Sequence, residues 1–177
     1  MESLCPECAA PLPEGGACLD HFHAMLYLES EAAAALPADD AERGRVAHFY
    51  AVSAYVLQHP ESMHYTAEAL AGLRRSLADH LAGRVSLEGV KYRVRSAASG
   101  AARVTRRGLE QPVRWPASSW PVTVADVLAG GAEGYVERVA AWAESVLRTL
   151  DQVAGSKGSV QSAKSVDSSP DRIGENQ

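Results

Sequence analysis

The sequence predicts a mainly α-helical protein, a bundle of four to five helices that carries an irregular, cysteine-bearing N-terminal arm. Three observations predict it. Alanine supplies much of the 46% hydrophobic content while aromatics make up only 6%, and such a balance favours helices over sheets. Apolar residues recur at three- and four-residue spacing over several long stretches, which is the period of one helix face. Pro37, Pro60 and Gly83 stand where those stretches end, as helix terminators do. The 177 residues suffice for one domain with its own core. We expect residues 1–154 to form that domain, residues 1–23 being a metal-binding arm, and residues 155–177 to be a disordered tail.

Taken in order, residues 1–17 are irregular, because Pro6, Pro11, Pro13, Gly15 and Gly16 exclude a helix. A first helix begins between Cys18 and Asp20 and runs to about Ala35, with Phe22, Met25 and Leu26 on its apolar stripe. The second, Ala41 to Gln58, carries two stripes. Val46, Phe49, Tyr50, Ser53, Val56 and Leu57 form one, and His48, Val52, Tyr55 and His59 the other. Two usable faces place that helix at the centre of the bundle. A third, Thr66 to Ala82, presents Leu70, Leu73, Leu77 and Leu81.

Beyond Gly83 the pattern changes. Val90 to Arg95 alternates apolar and basic residues, the pattern of a short strand near 90–95 or an extended arm. Residues 96–121 read as a loop, and its Trp115-Pro116 and Trp120-Pro121 pairs suggest a strap or lid across the bundle. Thr123 caps a short helix, Val124 to Leu128. The last helix runs from about Ala132 to Val153, with Tyr135, Val139, Trp142, Val146 and Leu150 on one face. From Gly155 onward core-forming residues are almost absent, hence the expected tail.

Charge is segregated. Residues 1–73 hold two Lys/Arg against 11 Asp/Glu, and residues 74–114 hold ten against three. Internal packing of the basic segment beside the acidic one accounts for this more simply than an anionic partner. Nucleic acid is further disfavoured, because stacking aromatics are not interleaved with the arginines. No run of 18 apolar residues exists, and Glu2 and Cys5 stand where a secretion signal would be charged and then apolar. We therefore expect a cytoplasmic protein without a membrane span, whose partner is a protein or a small molecule.

The chemistry concentrates at the start. Cys5-x2-Cys8-x9-Cys18-x2-His21 offers thiolates and an imidazole, the ligands zinc prefers, and three cysteines in a reducing compartment point to a metal or to reactive thiols rather than to disulfides. Cys18 opens a helix, where the dipole favours thiolate, and His21 follows one turn later on the same side. His48 and His59 lie 11 residues apart, about 16 Å along a straight helix, so they cannot share one ion. Either could still complete the cysteine site if the arm folds onto the second helix. The fourth ligand is thus His21, His48 or His59. His80 reads as solvent-facing. No G-x-S-x-G elbow, P-loop, Rossmann glycine triplet or H-E-x-x-H occurs.

Cys5-Pro6-x-Cys8, Cys18-x3-Phe22, and the stretch from His48-Phe49-Tyr50-Ala51-Val52 to Tyr55-x-Leu57-Gln58-His59-Pro60 resemble a bacterial family known only as a domain of unknown function. The resemblance covers residues 5–80 well, and Trp120 to Val127, Tyr135 and Trp142-Ala143 more loosely. It implies that Cys5, Cys8, Cys18, His48 and His59 are the positions of interest, and it implies no reaction. Such proteins usually carry glycine after the second cysteine, where this chain has Ala9.

Two functions follow as expectations. In the first, zinc is structural and staples the arm to the bundle of a regulatory or interaction protein. In the second, three protein ligands and an activated water make a hydrolase-like enzyme. There His59 or His64 is the general base, Tyr55 or Arg114 orients the substrate, and the Trp115/Trp120 strap is a lid.

Overall fold

The computed structural model describes residues 3–99, 103–108, 110–115 and 120–162. Among the described residues, six helices follow one another: α1 (Cys18–Ala34), α2 (Ala41–Gln58), α3 (Ala67–Leu81), α4 (Leu87–Ser99), α5 (Val124–Ala129) and α6 (Tyr135–Ser162). They include no strand, only two isolated bridges, Leu4 to Pro11 and Tyr65 to Thr105. The mainly helical class and the irregular arm are as the sequence predicts.

Local chemistry starts three of these helices where they start. Asp20, in the first turn of α1, accepts the Ala17 N–H at 2.7 Å. Thr66 caps α3 by accepting the Ala69 N–H at 3.1 Å. Asp126 accepts both the Thr123 N–H and its hydroxyl, at 2.8 and 2.7 Å, ahead of α5. Each cap satisfies donors that the first helical turn leaves without a partner.

Helix α2 is central, packing on α6 most extensively and also on α1 and α3. Its Ala47, Ala51 and Ala54 are buried, and side chains that small let α6 approach closely. Val139, Trp142, Ala143 and Val146 of α6 complete that core. Gln58, fully buried, ties three parts together. Its Nε2 donates to the Val122 carbonyl at 2.8 Å, and its Oε1 accepts the Trp142 indole N–H at 3.2 Å. Burying an amide is costly unless both ends are bonded, and here both are.

Two expectations are corrected. Residues 90–95 are not a strand but the middle of α4. Gly83, at φ +69°, ends the preceding turn, and Ser86 accepts the Gly89 N–H at 3.2 Å to start a new helix. Leu87 and Val90, three residues apart, are buried, while Tyr92 and Val94 stay exposed. Alternation in sequence therefore reflects no two-sided burial, and no neighbouring strand offers hydrogen bonds. The second correction concerns the C-terminus. Helix α6 continues to Ser162, beyond the expected helix end near Val153. Low apolar content signals a lack of core contacts, not a backbone conformation, and a helix already nucleated propagates cheaply. Residues 163–177 lie outside the described residues.

The strap takes its expected place across the bundle. Trp115 donates its indole N–H to the Leu57 carbonyl at 2.8 Å, and Trp120 donates to the Glu7 carbonyl at 3.0 Å. Residues 116–119 between them are outside the described set. Many of the basic residues find carboxylates within the fold. Arg84 and Arg93 both reach Asp79, at 3.0 and 2.7 Å, Arg114 reaches Glu61 at 2.6 Å, and Arg74 and Arg103 pair with Asp151 and Glu110. His80 is not solvent-facing: it is half-buried, with Nδ1 on the Tyr50 hydroxyl at 2.9 Å and its ring edge-on to Phe49.

Candidate metal centre

The arm makes a tight knuckle. The Cys5 N–H donates to the Ala10 carbonyl at 2.8 Å, and the Ala9 N–H returns to the Cys5 carbonyl at 2.9 Å. This closes a short loop with both sulfurs on one side. Ala9 completes it at φ +61°, in the left-handed region, which costs an L-residue roughly 1–2 kcal/mol and glycine nothing. Ala9→Gly is therefore expected to stabilise the protein by about 1 kcal/mol, read as a higher urea midpoint at unchanged slope. A lower midpoint would show that the methyl packs usefully and that strain is not the deciding term.

Four ligand atoms converge on one point. The sulfurs of Cys5, Cys8 and Cys18 and a ring nitrogen of His59 all lie within 4.8 Å of one another. Cys8 Sγ and Cys18 Sγ are 3.6 Å apart, and Cys18 Sγ is 3.3 Å from His59 Nε2. Metal–sulfur bonds of about 2.3 Å and metal–nitrogen bonds of about 2.0 Å in a regular tetrahedron require edges of about 3.8 and 3.5 Å. The observed separations come within a few tenths of an ångström of both. All three cysteines are free thiols.

The histidine is aimed by its surroundings. His59 Nδ1–H donates to the Tyr55 carbonyl at 2.8 Å, so Nδ1 keeps its proton and Nε2 is the nitrogen left to face the sulfurs. Outer hydrogen bonds of this kind fix the tautomer of metal-binding histidines. Phe22, Tyr55 and His59 form a ring stack with centroid spacings of 4.1 and 4.0 Å, which holds the imidazole plane. The four residues are 93% or more buried, Cys18 being the most exposed at 7%.

The four groups perturb one another's protonation. Hydrogen bonds with Cys18 and Cys8 hold the Cys5 thiol far below the ordinary cysteine value, and those with Cys5 and Cys8 drive Cys18 far above it. Burial works against charge on His59, yet its hydrogen bonds to Cys5 and Cys8 outweigh burial and push it up to about 10. Packed sulfurs and an imidazole thus compete for protons, and thiolates gathered in this way are the form that binds a metal cation.

Of the histidines considered as fourth ligand, the fold brings only His59 to the cysteines. His21 turns the other way, its Nε2 bonded to the Pro11 carbonyl at 2.8 Å. His48 pairs with Glu29 at 2.7 Å. His64 accepts from Arg106 at its Nδ1, at 3.3 Å. That nitrogen's lone pair is engaged, which weakens its case as a general base. Tyr55 is buried beneath the His59 ring, away from any substrate. Arg114 is exposed and paired with Glu61.

Sequence reasoning missed Glu7. Metal chemistry asks nothing of the residue between Pro6 and Cys8, yet the Glu7 carboxylate accepts the N–H groups of Glu61 and Ser62 at 2.8 and 3.2 Å, and also the Ser62 hydroxyl. It thereby locks the knuckle to the turn that follows His59. The one available signal was an acidic residue inside an otherwise neutral knuckle.

A cleft of about 310 Å³ opens beside this turn, between Pro6, Glu7, Pro60, Glu61, Arg114 and Trp115. None of the four ligand residues lines it. Among the described residues, no helix is long and apolar enough to cross a membrane. No curated protein and no solved structure matches the chain. The profile of one family, described as a family of unknown function, DUF5946, matches residues 3–151. That span holds the knuckle, Cys18, the Leu57-Gln58-His59-Pro60 turn and both tryptophans of the strap, and the chain belongs to this family.

Proposed function

We propose that the chain binds one zinc ion through Cys5, Cys8, Cys18 and His59, and that the ion is structural, stapling the arm to the bundle of a regulatory or interaction protein. One observation carries this reading: the four ligand atoms converge, and the neighbouring cleft touches none of their residues. Four protein ligands complete a tetrahedron and leave no position for an activated water, which is the mark of a structural site. Three thiolates with one imidazole suit zinc better than hard cations such as calcium or magnesium, which take oxygen ligands. A reducing compartment such as the cytoplasm suits thiols that must stay unpaired. The partner of this reading is a protein or a small molecule, since many of the arginines of residues 74–114 already have carboxylates in the fold.

The cleft beside Glu7 and Arg114 is what favours a metal-dependent, hydrolase-like enzyme as the second reading. It ranks lower, because water in that cleft does not meet the ligand residues. Elemental analysis tests the proposal. The purified protein should hold about one zinc per chain, the stoichiometry of a mononuclear site, and a Cys5→Ser/Cys8→Ser variant should have lost it. Equal metal content in the two would sink the assignment, and zinc together with hydrolysis of model esters would favour the enzyme.

A further inference from the structure

Away from the thiol cluster, the helices assemble a second group of reactive side chains. Glu29 of α1 lies between Tyr135, the first residue of α6, and His48 of α2. The Tyr135 hydroxyl donates to Glu29 Oε2 at 3.0 Å, and His48 Nδ1 lies 2.7 Å from Glu29 Oε1. A carboxylate only accepts, so His48 Nδ1 carries a proton, and in the neutral ring the lone pair is on Nε2. No hydrogen bond to Nε2 is found among the described residues, and the side chain is 55% exposed.

An ordinary surface ion pair looks different. Exposed pairs contribute little and leave both side chains loose. Here the Glu29 side chain is only 14% exposed, and its second oxygen is anchored by a phenol that is itself buried. Burial and then the Glu29 charge push that phenol far above the tyrosine range, which keeps it a donor. The relay therefore fixes the carboxylate, the carboxylate fixes the imidazole, and the free nitrogen faces solvent.

The other five histidines lack this combination. His59 belongs to the thiol cluster, His21 is bonded to a carbonyl through Nε2, and His80 and His64 are bonded through Nδ1 to a tyrosine and an arginine. His23 is exposed and packs beside the Phe22 ring with no carboxylate.

We propose that His48 Nε2 is a second functional site, a nucleophile oriented by Glu29 that accepts a phosphoryl group from a small acyl-phosphate or phosphoramidate donor. The Nε2 lone pair attacks phosphorus and a P–N bond forms. The bond from phosphorus to the donor's carboxylate oxygen, or to its amine nitrogen, breaks. Its electron pair goes to the leaving group, which departs as a carboxylate from an acyl phosphate, or as neutral amine from a phosphoramidate already protonated on nitrogen. The phosphorylated ring is momentarily an imidazolium, and the Nδ1 proton shared with Glu29 stabilises that charge, as carboxylates do for nucleophilic and acid–base histidines. Arg45 is exposed and lies three residues earlier on α2, a neighbour across one helical turn. It offers a guanidinium to the incoming phosphoryl oxygens.

The test uses the full chain and potassium phosphoramidate, with intact mass and phosphorus NMR following the product and peptide mapping placing it. His48 should be labelled at Nε2 faster than His23, which is also exposed, by at least about tenfold, the scale on which an orienting carboxylate acts. Glu29→Gln should erase that lead while His23 labels as before. Similar rates at His48 and His23 in the unaltered protein would overturn the proposal, and that comparison depends on no variant folding. So would label at Nδ1, or a lead that survives Glu29→Gln in a variant whose circular dichroism is unchanged.

Discussion

If the proposed zinc is bound, stripping it with a strong chelator is expected to cost about 3–5 kcal/mol of stability and to free the knuckle from the bundle, well short of the 10–16 kcal/mol by which zinc folds small finger peptides. The difference in scale has a structural cause. A finger has almost no other core, whereas here α2 and α6 remain packed through Ala47, Ala51, Trp142 and Val146. What the metal-free protein loses is the pairing of three buried sulfurs with a cation, and uncompensated buried charge is strongly unfavourable. Urea unfolding with and without chelator measures the loss, and quenching of the tryptophan fluorescence by iodide reports the strap, since Trp120 is bonded to Glu7. An unchanged midpoint in a protein shown to have lost its zinc would exclude a structural role.

The second large effect is expected at Trp142. Replacing this fully buried side chain by alanine should cost about 5 kcal/mol, combining a large cavity with an orphaned Gln58 amide oxygen. Trp142→Phe keeps most of the volume and removes only the indole donor, so about 1–2 kcal/mol is expected there. Thermal and urea unfolding of the two variants separate volume from hydrogen bonding. A loss for alanine no greater than for phenylalanine would mean that α6 closes around the gap. A loss under about 1 kcal/mol would mean that Gln58 and Trp142 are not central to the fold.

These expectations rest on parts of the molecule that differed in how legible they were. Helix α2 was readable to its last residue, because apolar spacing and Pro60 act locally and agree with the tertiary outcome. The three cysteines were readable because few other roles suit that residue type in that spacing. The choice of His59 over His21 and His48 was not. It depends on the path of residues 9–17, where an alanine in a left-handed conformation and a chain of turns decide which way the knuckle faces. Helix α4 misled for a related reason: alternation at 90–95 carries meaning only if both faces meet something, and here α3 covers one face alone. The Glu29–His48 pair joins two helices by side chains 19 residues apart, a relation that no local pattern contains.

The clamp formed by Glu7 also has a kinetic side. Its carboxylate grips the backbone just past His59 while its carbonyl is held by Trp120, so the sulfurs and the imidazole are enclosed by the very segment that carries two of them. An ion bound there would depart only when that segment lifts. The lifetime of the loaded state then follows the opening of residues 5–8 and the 60–62 turn rather than the strength of any single metal bond. A competing ligand in solution must wait for that opening, however tightly it binds.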